Sequence, residues 1–117
     1  MLGVAPTVRP MAVAGLFYPD DANSLRADVD RLLAAAPRRL ALAPKALIVP
    51  HAGYVYSGPV AATAYASLAS HARQITRVVL IGPAHRVAVR GLVLPDAGAF
   101  STPLGDVPLD HEAVRRL

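Results

Sequence analysis

No cysteine occurs in the chain, so disulfides, thiolate metal ligands and a cysteine nucleophile are all excluded within it. Chemistry here must come from histidine, carboxylate, hydroxyl or backbone groups. Tryptophan is also absent and aromatics make up only 5% of the residues, which leaves few platforms on which nucleic-acid bases could stack. The net charge of +4 is scattered, with only Arg38-Arg39 and Arg115-Arg116 adjacent, so no nucleic-acid partner is expected. No apolar run approaches the roughly 18 residues of a membrane span, and the opening MLGVAPTVRPMAV lacks the pattern of a secretory signal. The expectation is therefore no membrane association and a cytoplasmic location. The glycine-rich dinucleotide and phosphate motifs, the H-E-x-x-H zinc motif and the G-x-S-x-G nucleophile elbow are missing as well.

What the chain does contain is apolar residues at 54% against 17% charged, over 117 residues punctuated by 11 prolines. That composition is globular, and the length suits one domain burying roughly two thirds of its unfolded surface. Residues 1–20 read as an irregular lead-in closing on Leu16-Phe17-Tyr18-Pro19. Asp21 is a candidate N-cap for a helix whose Leu25, Val29, Leu32, Leu33 and Ala36 form one apolar stripe, ended by Pro37. Lys45 to Val49 (KALIV) and Arg77 to Ile81 (RVVLI) are short continuous apolar runs of the kind found in strands buried on both faces, and Gly91 to Leu94 (GLVL) is a third. Between the first two, Ser57-Gly58-Pro59 predicts a helix over about 59–69, because proline suits the first helical position. Strand, helix, strand implies parallel strands joined by a right-handed crossover. The predicted class is α/β, a mainly parallel sheet with flanking helices, in a single domain with no second one. A last helix is expected from Asp110.

Each of the first two predicted strands runs into a loop bearing proline, glycine and histidine: Val49-Pro50-His51-Ala52-Gly53 and Gly82-Pro83-Ala84-His85. Open α/β sheets bind ligands beyond the carboxyl ends of their strands. On neighbouring strands about 4.8 Å apart, two imidazoles could share one ion at about 2.1 Å from each nitrogen. A single histidine in such a loop is more often a hydrogen-bonded structural residue than a ligand, whereas two equivalent placements favour half of a metal site. Both readings stand on the pattern alone. His71 and His111 lack this placement and read as surface residues. Tyr54 and Tyr56 would share a face if extended, lining the pocket or packing on the next helix. The helix start expected at Pro59 would turn free N–H groups toward an anionic ligand.

Four elements taken in order, Ala14-Gly15-Leu16-Phe17-Tyr18-Pro19, Val49-Pro50-His51-Ala52-Gly53-Tyr54-Val55-Tyr56-Ser57-Gly58, Leu80-Ile81-Gly82-Pro83-Ala84-His85 and Ser101-Thr102-Pro103-Leu104-Gly105, resemble the Memo family, also called AmmeMemoRadiSam system protein B. The resemblance covers roughly residues 8–117. It implies the fold of class III extradiol ring-cleaving dioxygenases, whose Fe(II) sits between two histidines and a carboxylate. It makes His51 and His85 two of the metal ligands, with Fe(II) expected and copper or another divalent metal as alternatives. It assigns Phe17 and Tyr56 to the pocket, which with Tyr54, Gly82 and Pro83 form the expected substrate-binding set. It implies a metal-dependent oxidoreductase, or else a non-catalytic pocket for a small anionic ligand or peptide, functionally linked to a radical-SAM enzyme. Animal members carry His and Trp where this chain has Val13 and Phe17, so their phosphopeptide binding is not carried over. The family is well over twice this length and its third ligand lies beyond Leu117, which makes the chain an N-terminal portion, inactive alone.

Overall fold

The computed structural model describes residues 7–37 and 43–116. Residues 1–6 of the expected lead-in, the Arg38-Arg39 pair and Leu117 lie outside the described residues. The chain divides into two units, one of residues 13–78 and one of residues 1–12 with 79–117.

In the first unit, the backbone turns back on itself before the first helix. Gly15, at a φ of 77° that favours glycine, donates its N–H to the Tyr18 carbonyl at 2.8 Å, and Phe17 N–H donates to the Val13 carbonyl at 2.9 Å. Helix α1 (Ala22–Ala35) starts where the Asp21 carboxylate accepts from Ser24 N–H at 2.8 Å, the expected cap. It ends at Ala36, because Pro37 can neither continue the ladder nor leave its predecessor helical. Of the predicted stripe, Leu25 is buried at 5% exposure and Val29, Leu32 and Ala36 are half-buried, whereas Leu33, at the edge of the stripe, is exposed.

Helix α2 (Tyr54–Tyr65) begins five residues before the predicted start. Gly53 caps it, its carbonyl accepting from Tyr56 N–H at 2.9 Å and Ser57 N–H at 3.0 Å. Pro59 thus lies inside the helix, where it removes the one N–H that would have reached the Val55 carbonyl. α2 packs on α1, and small residues make this close: a Cβ on buried Gly58 would stand 3.0 Å from a Leu32 methyl. Ala62 and Ala66 are buried with it, and short 3₁₀ turns at Ala66–Leu68 and Ala72–Gln74 follow.

In the second unit, β1 (Val8–Arg9) pairs parallel with β2 (Ala99–Phe100), which pairs antiparallel with β3 (Val107–Pro108). Pro108 has no N–H to donate and sits on an edge strand, where that is tolerated. The β2–β3 connection is closed by Thr102, whose hydroxyl donates to the Gly105 carbonyl at 2.7 Å and accepts from Leu104 N–H at 3.1 Å. Arg9 stacks its guanidinium 5.3 Å from the Phe100 ring centroid. Helix α3 (His111–Val114) opens, as expected, at Asp110, whose carboxylate accepts from Ala113 N–H at 3.0 Å.

The α/β class is observed, with a three-stranded mixed sheet in place of the predicted mainly parallel one. The runs 45–49, 77–81 and 91–94 are not strands among the described residues. A doubly buried strand exists only when neighbouring strands take its N–H and C=O groups and helices cover its faces. Here most side chains of these runs face solvent, with Ile48 fully exposed and Leu80 at 80%, while Leu47 and Val49 are half-buried.

Candidate functional site

The best-defined part of the expected site lies within residues 13–78, where the Phe17 turn is joined to the His51 loop. Tyr54 N–H, the first of α2, donates to the Phe17 carbonyl at 2.7 Å. Gly53 lies against the same turn: a Cβ there would stand 3.4 Å from the Phe17 Cα and 3.5 Å from its carbonyl oxygen, in ordinary van der Waals contact. On the other side, buried Ser57 donates its hydroxyl to the Ala52 carbonyl at 2.7 Å. The segment directly after His51 is thus bonded at two points, the Ala52 carbonyl and the Tyr54 N–H.

The two tyrosines take different roles. Because 54–56 is the first turn of a helix and not an extended segment, residues two apart diverge by about 200°. Tyr54 is half-buried, with its ring 5.9 Å from that of Tyr18 at an interplanar angle of 44°. Burial raises its phenol above the ordinary value, with Tyr18, Tyr65 and Asp28 adding smaller electrostatic contributions in the same direction. Tyr56 is 83% exposed, as is much of Phe17, and His51 is exposed between them in sequence. The helix start moves from Pro59 to Tyr54, and its N–H groups at 54, 56 and 57 are taken by the Phe17 and Gly53 carbonyls, so they do not serve an anion.

In the other unit, Gly82, Pro83 and His85 lie on an exposed stretch without regular structure. Gly82 makes no close approach to other parts of the chain, since a Cβ there would meet nothing within 4 Å. The run leading to the loop, 77–81, is not a strand among the described residues, so it does not present the loop as a strand end would. His71 is half-buried at the start of a 3₁₀ turn, and His111 is exposed in the first turn of α3.

Imidazole donors suit a divalent transition ion. Among the described residues, however, no three His, Cys, Asp or Glu side chains gather as a metal site, so a facial triad is not assembled from them. Sequence reasoning overlooked Tyr18, which backs Tyr54, and Ser57, which secures the loop. The available signal for Ser57 was a hydroxyl set one helical turn after a loop glycine, a common position for side chain to backbone bonds.

Comparison with known proteins places these elements in context. The family of Memo-like proteins matches residues 9–117, and the chain belongs to that family. It is 40% identical over 119 residues to a MEMO1 family protein of Methanocaldococcus jannaschii, covering 94% of this chain and 41% of that protein. A MEMO1 family protein of Aquifex aeolicus is 39% identical over 105 residues, covering 90% and 38%. The memo-1 homolog of Caenorhabditis elegans is 36% identical over 110 residues, covering 94% and 31%. The chain spans about two fifths or less of the length of these curated relatives.

Proposed function

We propose that this chain carries two metal-ligating histidines, His51 and His85, of a Memo-like protein, with the third ligand supplied from outside the chain. The observation that supports this most is the joining of the Phe17 turn to the His51 loop, through the Tyr54 N–H to Phe17 carbonyl bond of 2.7 Å, which brings two family motifs together from 37 residues apart in sequence, at positions 17 and 54. Fe(II) is the proposed ion, with copper or another divalent metal as competitor. It would supply Lewis-acid and redox chemistry, with Phe17, Tyr54, Tyr56, Gly82 and Pro83 around the ligand, in a parallel-sheet dioxygenase-like fold completed by further polypeptide. The proposed setting is the cytoplasm, in functional association with a radical-SAM enzyme.

A second reading is a binding pocket without turnover, for a small anionic molecule or a peptide. The exposed Phe17 and Tyr56 rings beside the His51 loop favour it, since exposed aromatics offer contact area at low entropic cost. To test the first reading, the chain and its H51A and H85A variants are titrated anaerobically with Fe(II), beside the intact M. jannaschii relative, and bound metal is quantified. Loss of binding in both variants is expected. Unchanged binding in either removes that histidine as a ligand, and a catechol-cleavage assay on the intact relative separates catalysis from binding.

A further inference from the structure

We propose that Ser57 is a positioning residue for His51, fixing the backbone of the loop that carries it. The inference rests on the reading of His51 as a metal ligand, but its geometry stands on its own. Ser57 is 6% exposed, and its Oγ lies 2.7 Å from the carbonyl oxygen of Ala52, the residue directly after His51, and 3.4 Å from that of Gly53. Being in the first turns of α2, it ties the loop to the helix that packs on α1. Directly after the Ala52-Gly53 dipeptide, Tyr54 N–H donates to the Phe17 carbonyl at 2.7 Å. Together the two bonds restrain the peptide groups joining residues 52–53 and 53–54, one and two residues past His51.

A serine placed there only to fill space would be replaceable by alanine at no cost beyond a lost hydroxyl. With its hydroxyl spent on the Ala52 carbonyl, its removal instead frees that carbonyl to turn and loosens the backbone one residue after His51. Groups that orient a ligand typically change metal affinity by about 10–100-fold when removed. Because the hydroxyl acts through the backbone and not on the ring, the low end applies.

The test uses the full chain with S57A, S57T and, as a control, L25V, which weakens the buried core of α1 without touching the loop. Two readouts are taken: the imidazole cross-peak of His51 in metal-free protein by NMR, and affinity for Co(II) as a spectroscopic probe. In S57A the His51 cross-peak is expected to shift while those of His71 and His111 stay, and Co(II) affinity to fall about tenfold. S57T retains the hydroxyl and restores both, and L25V leaves both unchanged. A His51 cross-peak that does not move in S57A, or moves equally in L25V, overturns the positioning role. If the cross-peak shifts but neither wild type nor variant binds Co(II), positioning holds and the metal reading fails. Should S57A not fold, the Ala52 carbonyl carbon shift in S57T against wild type decides: a retained shift supports the bond, and a lost one with unchanged His51 overturns it.

Discussion

Tyr54 shows how a single residue acquires properties that its sequence position does not announce. It is half-buried against Tyr18, and burial, followed by the nearby phenols of Tyr18 and Tyr65 and the Asp28 carboxylate, raises its ionisation above the ordinary 10.0. The folded state therefore holds this proton more tightly than the unfolded one. The stability it contributes is fully present below pH 10.0 and is lost as pH rises through the folded value. Y54F keeps the ring contact but removes the titrating group. Denaturant melts of wild type and Y54F across the alkaline range should diverge, with wild type losing stability more steeply above pH 10.0. Parallel curves would mean that the hydroxyl is solvated in the native state.

Among the elements, α1 is the clearest case of local chemistry setting a boundary. The Asp21 carboxylate is held below its ordinary value of 3.8 chiefly by the Ser24 backbone N–H, and secondarily by the Ser24 side chain. The sign is opposite to that of Tyr54. Its contribution is present above pH 3.8 and disappears as pH falls through the lower folded value. D21A should lower the melting temperature at neutral pH and flatten the acid limb of the stability profile, while D21N, which still accepts the Ser24 N–H, keeps the melting temperature nearer to wild type. Circular dichroism melts from neutral to acid pH check this, and an acid limb as steep in D21A as in wild type would assign the acid sensitivity to another carboxylate.

For the molecule as a whole, the described core is small: the buried apolar residues are Leu25, Ala62, Ala66 and Ala97. Fully burying one leucine contributes about 1.5–3 kcal/mol, and ordering each residue's backbone costs about 1–2 kcal/mol, so such a core leaves little margin. At the same time Ile48, Val79, Leu80, Ile81, Leu92 and Val93 face solvent. Short uncharged runs of β-branched residues in that state tend to pair with other chains. The chain alone is therefore expected to associate in solution and to bind Fe(II) weakly, since two imidazoles do not fix a catalytic ion's geometry. Light scattering and metal quantification on the 117-residue chain and the intact relative measure both. A monodisperse chain with one tightly held iron would mean that it is a self-sufficient metalloprotein.

Features set by nearest neighbours could be read from the sequence by itself. The caps at Asp21 and Asp110, the end of α1 at Pro37 and the buried face at Leu25 all depend on residues within a turn or two, and all appear as expected. Family membership was legible for a related reason, because the motifs around Phe17, His51, His85 and Thr102 are contiguous strings. The start of α2 was not, since Pro59 is a strong local signal and its cost is outweighed by bonds to the Gly53 carbonyl and the Ser57 link to Ala52. Nor could the sequence decide whether KALIV and RVVLI become strands, because a strand is defined by partners elsewhere in the chain and an apolar run specifies only that it needs covering. Tertiary structure alone decided that Gly53 meets Phe17, that Tyr54 and Tyr56 part company, and that β2 takes β1 on one side and β3 on the other. The Gly53 approach to Phe17, the Tyr18–Tyr54 ring contact and the β1–β2 pairing span long sequence separations, where packing and backbone hydrogen bonding choose among pairings that local propensity leaves equivalent.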